Sequence, residues 1–259
     1  MIDEFLDRFQ VILATTADEK DRVFSLRHQV YCEELGYEPL NLKDRIERDE
    51  FDTRSLHCLI EHRSTGLAAG CMRVVIPDAS SAKFSQLPIE EHCRQFDAVV
   101  EWGRRSIDRN SLCEISRIAI PRYFRTQMHK QRESAVTGLG ELVFTKQERR
   151  VFPLIGVSLF LCATALTGIA QRHHVLAMME NRFYRLLART GLKFEQVSRP
   201  MQFRGQRAAF YIDQRNAENE LRESVRQLYA VIKEDLTVQY ALEVSSLHHL
   251  IGRPVCSPY

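Results

Sequence analysis

Apolar residues return at three- and four-residue steps through Val23, Leu26, Val30, Tyr31 and Leu35, so the spacing predicts an amphipathic helix from Asp18 to Leu35. Asp18 and Glu19 suit the positive N-terminal end of that helix. Upstream, Ile2, Phe5, Leu6 and Phe9 repeat at helical spacing, and the alternation from Phe9 to Leu13 predicts a short edge strand. Ser55 to His62 and Leu67 to Pro77 read as two strands joined by Arg63-Ser64-Thr65-Gly66, an antiparallel hairpin with Arg73 near its far end. The polar loop from Gly36 to Thr53 is longer than a compact domain usually holds without a use for it. Ser80 to Leu112 reads as an irregular excursion, anchored by Phe84, Leu87, Pro88 and Ile89 and carrying the only tryptophan, Trp102. It returns into a β-like run, Cys113 to Ile120.

Pro153 to Ala170 is eighteen residues without a charge, close to the roughly 20 that cross a bilayer. Gly156, Ser158, Thr164, Thr167 and Gly168 dilute it, and β-like His174 to Met179 follows at once, so it reads as a helix buried on a sheet. Glu180 to Thr190 predicts a further helix with Phe183, Leu186 and Leu187 inward, stopped by Gly191 at the C′ position. Phe194 to Val197 and Phe203 to Ile212 read as closing strands. This order predicts an α/β sandwich around one mixed sheet. Beyond Asp213 a polar helical tail places Leu221, Val225, Leu228 and Ile232 on one stripe, fit to dock on the domain or on a second copy as a homodimer. The expected organisation is one domain over 1–213 and a helical extension over 214–259.

With 259 residues, 44% apolar and 27% charged, the chain can bury a real core. Its seven cysteines show no C-x-x-C pair and no His/Cys spacing suited to zinc, which points to a reduced, cytoplasmic protein with neither disulfides nor a metal. Acids near the N-terminus, Asp3 and Glu4, argue against a secretion signal. A net charge of +2 argues against a nucleic-acid binder driven by bulk charge. Locally, Arg122, Arg125, Lys130, Arg132, Lys146, Arg149 and Arg150 form a basic stretch, either a solvated surface or a dock for an acidic partner.

Within the run Cys113 to Ile120 stand an acid and a base, in Glu114-Ile115-Ser116-Arg117. Strand alternation puts Glu114, Ser116 and Ile118 on one face and Ile115, Arg117 and Ala119 on the other. In the absence of a bulge the two charges have different jobs. A structural ion pair is the plainer alternative.

Taken together, Arg27-x-x-x-Tyr31, Tyr37, Asp49-x-x-Asp52, Arg73, Phe84 and Glu114-x-x-Arg117 resemble the signature of the N-acyl-homoserine-lactone (autoinducer) synthases, with Tyr31 and Tyr37 where that family has Phe and Trp. The likeness spans about residues 20 to 120. Val30-Tyr31-Cys32-x-Glu34-x-Gly36-Tyr37, Ser55-Leu56-His57, Glu114-Ile115-Ser116-Arg117, the Met178 to Gly191 segment and Phe203-Arg204-Gly205-x-Arg207 resemble more closely the acyltransferases associated with PEP-CTERM/exosortase systems. Those are related to the N-acyl amino acid synthases and to the GNAT fold, and this likeness covers most of residues 9 to 215.

The resemblance implies a GNAT-like three-layer sandwich around a mixed, mostly antiparallel sheet with a splayed central strand pair. It also implies transfer of a long-chain fatty acyl group from an acyl carrier protein, or from acyl-CoA, to the amine of an amino acid or similar small acceptor. No permanently bound cofactor is required. In that frame Glu114 is expected to be the general base. Arg117 is expected to anchor Asp49 or Asp52 and hold the long loop closed, with Arg27 and Arg73 completing the cluster. Tyr31, Tyr37 and Phe84 would line the acceptor pocket. Ile118, Ala119, Ile120, Arg122 and Arg125 would meet the pantetheine arm and its carrier, and Tyr184 would either protonate the departing thiolate or pack in the core. Autoinducer synthesis and a non-catalytic carrier- or lipid-binding role are the alternatives.

Overall fold

The computed structural model describes residues 1–78, 85–95, 107–125, 135–137, 140–142 and 144–251. The chain opens with α1 (Ile2–Arg8) and edge strand β1 (Phe9–Leu13). Next comes α2 (Ala17–His28), whose N-cap Thr16 and third residue Glu19 cap each other's backbone N–H groups. The helix expected to reach Leu35 ends earlier as α2 and continues as a π-helical stretch over Gln29–Glu34, which carries Tyr31.

The hairpin β2 (Ser55–His62) and β3 (Leu67–Val75) pairs antiparallel, as two β-like runs joined by Arg63-Ser64-Thr65-Gly66 predict. The excursion after it is more regular than expected, because it contains α3 (Pro88–Gln95). Pro88 opens this helix and the Glu90 side chain accepts the Leu87 N–H at 2.8 Å, a start signal legible in Leu87-Pro88-Ile89-Glu90. Strand β4 (Leu112–Ala119) leads to the short turn α4 (Arg122–Arg125), the ribbon β5 (Ala135–Thr137) and β6 (Gly140–Leu142), and α5 (Lys146–Val151).

The uncharged run forms α6 (Pro153–Ile169), buried on the sheet. No described helix is long and apolar enough to cross a membrane. It is followed by β7 (His174–Met179), α7 (Asn181–Ala188), β8 (Glu195–Gln196), β9 (Met201–Gln202), β10 (Gln206–Asp213), α8 (Gln214–Asn219) and α9 (Glu223–Ile251).

The sheet order is β1-β2-β3-β4-β7-β10-β8, with β9 on β10, and every pairing is antiparallel except β4 with β7. Helix α6 and the α9 residues Val225, Leu228, Ile232 and Leu236 cover one face, while α2 and α3 cover the other in two smaller clusters. The C-terminal stripe therefore packs on the same chain. Gln239 of α9 also donates to Val11 O and accepts Leu13 N–H, which occupies main-chain groups on the exposed edge of β1.

Two expectations for the segment after β7 need correction. Leu186 faces solvent, 46% exposed, while Leu187 is buried. Gly191 stands past C′, because the α7 cap is Arg189. Its φ of +103°, with Glu220 O only 2.1 Å from where a Cβ would sit, explains the glycine. Gly191→Ala is expected to destabilise the protein by at least about 1–3 kcal/mol, read as a fall in Tm.

Candidate active site

The parallel pairing of β4 with β7 runs from Leu112/His174 to Ile115/Ala177 and then stops, although both strands continue. The two strands part there, and a cavity of about 380 Å³ lies in the gap, walled by Glu114 to Ile118 on one side and Ala177 to Met179 on the other. An unpaired strand edge exposes main-chain donors and acceptors, so the gap is suited to an extended, amide-bearing ligand.

Just past this point β4 bulges. Arg73 pairs with Ser116 but Cys71 pairs with Ala119, so three residues of β4 oppose two of β3. Arg117 takes the left-handed conformation, φ +51°, normally left to glycine. The extra residue overturns the alternation expected across the strand. Glu114, Ser116 and Arg117 serve the same face, while Ile118 joins Ile115 on the α6 side and Ala119 packs with Tyr31.

Glu114 is 2% exposed and lines the cavity. Its Oε2 accepts the Ile89 N–H at 2.7 Å in the first turn of α3. Burial pushes its carboxyl up to about 8, against the pull of that N–H and of Arg73 and Arg117. A carboxyl tuned in this way can take a proton from an amine near neutral pH.

Beside it lies the cluster that holds the long loop. Asp49-x-x-Asp52 is a reciprocal cap on the 3-10 turn Glu50–Arg54: Asp49 accepts Phe51 N–H at 3.0 Å and Asp52 accepts Asp49 N–H at 2.7 Å. The same carboxylates bind guanidiniums. Arg27 donates to Asp52 at 2.6 and 3.1 Å, and Arg73 donates to Asp52 at 2.7 Å, to Asp49 at 2.5 and 2.9 Å and to Ser116 Oγ at 2.9 Å. Arg117 reaches Asp49 at 3.0 Å and Glu47 at 3.1 Å. Arg204, on the β9–β10 turn, pairs with Glu38. Arg27, Arg73, Arg117 and Arg204 thus face Glu38, Glu47, Asp49 and Asp52, a balanced set, which largely buried charges require. Burial alone would raise the Asp52 carboxyl, but the hydrogen bonds and charges of Arg27 and Arg73 hold it well below its usual range. His57, against Asp52 and edge-on to Phe24, is kept neutral by burial, its pKa lowered to about 4.

Tyr31 donates to Ile118 O at 2.6 Å, so its hydroxyl ties the π-helical stretch to the bulge, and burial pushes its pKa up to about 12. Its ring stacks on Tyr37 at 6.5 Å. Of the other expected site residues, Ile118, Ile120 and Arg125 line the cavity. Arg125 pairs with Glu34, which also accepts the Arg122 N–H, so part of the basic stretch is neutralised. Ala119 is buried beneath Tyr31. Tyr184 does not line the cavity, and its ring stacks on Phe210 at 5.2 Å. Phe84, Trp102, Lys130 and Arg132 lie outside the described residues. Glu38 and Glu47 were not singled out in the sequence, since nothing local marks a loop acid that will meet a distant guanidinium. His92 was missed too; its ring lies 4.3 Å from Phe203 at the cavity wall.

Among the described residues that line the cavity there is no cysteine and no histidine–nucleophile pair. The buried thiols of Cys71 and Cys93 are pushed up to about 12 by desolvation, far from a reactive thiolate. Among the described residues no cluster of His, Cys, Asp and Glu could hold a metal ion.

A sheet that splays after a bulged fourth strand is the GNAT architecture, and the chain has that fold. Residues 26–132 match the acetyltransferase (GNAT) domain family. Three solved structures share the fold at a TM-score of 0.53. TofI, in a ternary complex with an inhibitor and MTA, is 16% identical over 80% of this chain and 91% of its own. FeeM, an N-acyl amino acid synthase from uncultured soil microbes, is 12% identical over 83% and 95%. BjaI, a CoA-dependent acyl-homoserine lactone synthase with SAM and isopentyl-CoA, is 16% identical over 82% and 86%. No curated protein sequence matches this chain.

Proposed function

We propose that the protein is an N-acyltransferase that moves a long-chain fatty acyl group from a thioester donor to the amine of an amino acid or similar small acceptor. The observation that carries this reading is Glu114, a buried carboxyl tuned to about 8 at the wall of a cavity that opens where β4 and β7 part. The donor's pantetheine arm enters along the free edge of β4, whose main-chain groups fix it and polarise the thioester carbonyl. The amine attacks that carbonyl directly. Its proton passes to Glu114 or through one water, the C–N bond forms, the C–S bond breaks, and the thiolate leaves to be protonated from solvent or from Glu114. Tyr31, Tyr37 and the Asp49 to Asp52 loop, held by Arg73 and Arg117, close the acceptor side. Ile118, Ile120, Phe160 and Phe183 supply apolar wall for the start of the acyl chain.

An acyl carrier protein is the favoured donor, because the turn after β4 carries Arg122, whose backbone N–H is taken by Glu34, where a glycine-rich phosphate cradle would leave it for the donor. Arg122→Glu is expected to raise KM for acyl carrier protein about tenfold at low salt, to lose that effect at high salt, and to leave KM for acyl-CoA unchanged. Equal KM values for wild type and variant would remove the carrier dock from this account. The likeness to BjaI, an acyl-homoserine lactone synthase, keeps a second reading, autoinducer synthesis, and the motif likeness to exosortase-associated acyltransferases supports the first. Mass spectrometry of lipids from cells expressing the chain or its Glu114→Gln variant separates them. New acylated amino acids with the wild type alone support the first reading and acylated lactones the second. Neither species, with folded protein and donor present, leaves a non-catalytic carrier- or lipid-binding role.

A further inference from the structure

Among the described residues five arginines line the cavity: Arg117, Arg125, Arg182, Arg204 and Arg207. Four of them have a carboxylate at hydrogen-bonding distance: Glu47 and Asp49 for Arg117, Glu34 for Arg125, Glu180 for Arg182 and Glu38 for Arg204. Arg207 differs. Among the described residues its ion-pair partner is Glu180 at 4.0 Å, and Glu180 is already engaged by Arg182 at 2.9 Å. The Arg207 Nε is buried and has no hydrogen-bond partner. Buried donors are rarely left so, and one at a cavity wall is a place for a ligand acceptor.

The sheet places this group toward the acceptor side. Ala208 pairs with Met179, so Arg207 stands opposite Glu180 at the end of β7. Alternation puts it on the face of Ala209 and Tyr211, which pack with Leu112, Leu176 and Met178. Leu112 and Glu114 share that face of β4, so Glu114 and Arg207 look into the cavity from the same side of the sheet, across the gap. The Arg207 guanidinium also lies 5.8 Å from the centre of the Tyr37 ring, an aromatic at the start of the long loop.

The geometry points to Arg207 as a specificity-determining residue that binds the carboxylate of the acceptor, so that the acceptor class is α-amino acids rather than simple amines. This rests on the acyltransferase reading and narrows it. An amine delivered to Glu114 with its carboxylate on Arg207 gives the buried Nε an acceptor and sets one negative charge against the cavity arginine whose carboxylate partner, among the described residues, stands off at 4.0 Å. A phosphate of the donor offers the same anionic oxygens, so the test separates the two sources.

The test compares kcat/KM for a free amino acid, its primary amide and its decarboxylated amine at saturating donor, in wild type, Arg207→Gln and Arg207→Lys, with melting curves to show that each is folded. Wild type is expected to prefer the free amino acid by on the order of 10²-fold. Arg207→Gln should bring the three acceptors within a few fold of one another, chiefly through acceptor KM, with donor KM unchanged, and Arg207→Lys should restore part of the preference. Should Arg207→Gln not fold, a reduced preference in folded Arg207→Lys supports the assignment and an unchanged one overturns it. Acyl transfer without any carboxylate preference in wild type, a preference that survives Arg207→Gln, or an effect on donor KM alone overturns the assignment while leaving acyl transfer standing. Failure to acylate any acceptor defeats the acyltransferase reading itself and this assignment with it.

Discussion

Replacing Glu114 with glutamine is expected to lower kcat for acyl transfer by roughly 10²–10⁴-fold with the fold intact. Glutamine keeps the shape, and its amide oxygen can still accept the Ile89 N–H that Glu114 Oε2 accepts at 2.7 Å. What it loses is the ability to take a proton. The wild-type rate should rise with pH through about 8, as the carboxyl ionises, and the residual rate of the variant should lack that limb. Because the folded-state pKa of Glu114 is raised from 4.5 to about 8, its contribution to stability is fully present below about pH 4.5 and is lost as pH rises through 8. Glutamine carries no such term, so Glu114→Gln should gain in Tm relative to wild type between pH 5 and pH 9. A variant that is inactive because it has unfolded shows the opposite, a lower Tm at every pH.

Asp52→Ala is expected to destabilise the protein by about 3–5 kcal/mol, because it leaves one positive charge of the cluster uncompensated: Arg27 and Arg73, both fully buried, share its Oδ1 at 2.6 and 2.7 Å and keep only Glu47 and Asp49, which Arg117 also uses. For a chain of this size that is a fall in Tm of roughly 6–20 °C. Asp52 is held ionised below its ordinary 3.8, so its stabilisation is present above that pH and is lost as pH falls below it. His57, lowered from 6.5 to about 4, adds a loss that begins as pH falls below 6.5. Between about pH 6.5 and 4.5 this loss offsets the gain from Glu114, so wild type should hold its stability there, weaken below about pH 4.5 as His57 and then Asp52 lose theirs, and Asp52→Ala should show a shallower final decline. A variant with wild-type Tm and no activity would instead assign Asp52 to the chemistry rather than to the scaffold.

The elements that the chain spells out locally were legible. The β2–β3 hairpin follows from two β-like runs joined by Arg63-Ser64-Thr65-Gly66, and α6 follows from a charge-free run of helical length diluted by small polar residues. The motif positions Arg27, Asp49, Asp52, Arg73 and Arg117 do come together around one loop. What escaped is what depends on partners far away in the chain. The bulge in β4 has no glycine to mark it, because Arg117 itself takes the left-handed conformation and its ion pairs to Glu47 and Asp49 hold it there. That one residue reverses the faces of Arg117, Ile118 and Ala119. It turns Glu114 and Arg117 from residues with separate surroundings into neighbours along one cavity. Glu38 and Glu47 complete the charge balance from a loop with no periodicity, and Arg204 and Arg207 reach the cavity from a hairpin almost ninety residues beyond Arg117.

The central claim is that an amine attacks a thioester directly in the gap between β4 and β7, with Glu114 taking the proton. It is tested most directly by incubating the purified protein with long-chain acyl carrier protein and an amino acid, and following product, free thiol and intact protein mass together by mass spectrometry. The expected result is one N-acyl amide for each thiol released, no acylated form of the protein at any time, and at least a hundredfold less product with folded Glu114→Gln. An acyl group found on the protein itself, or equal product from wild type and Glu114→Gln, would contradict it.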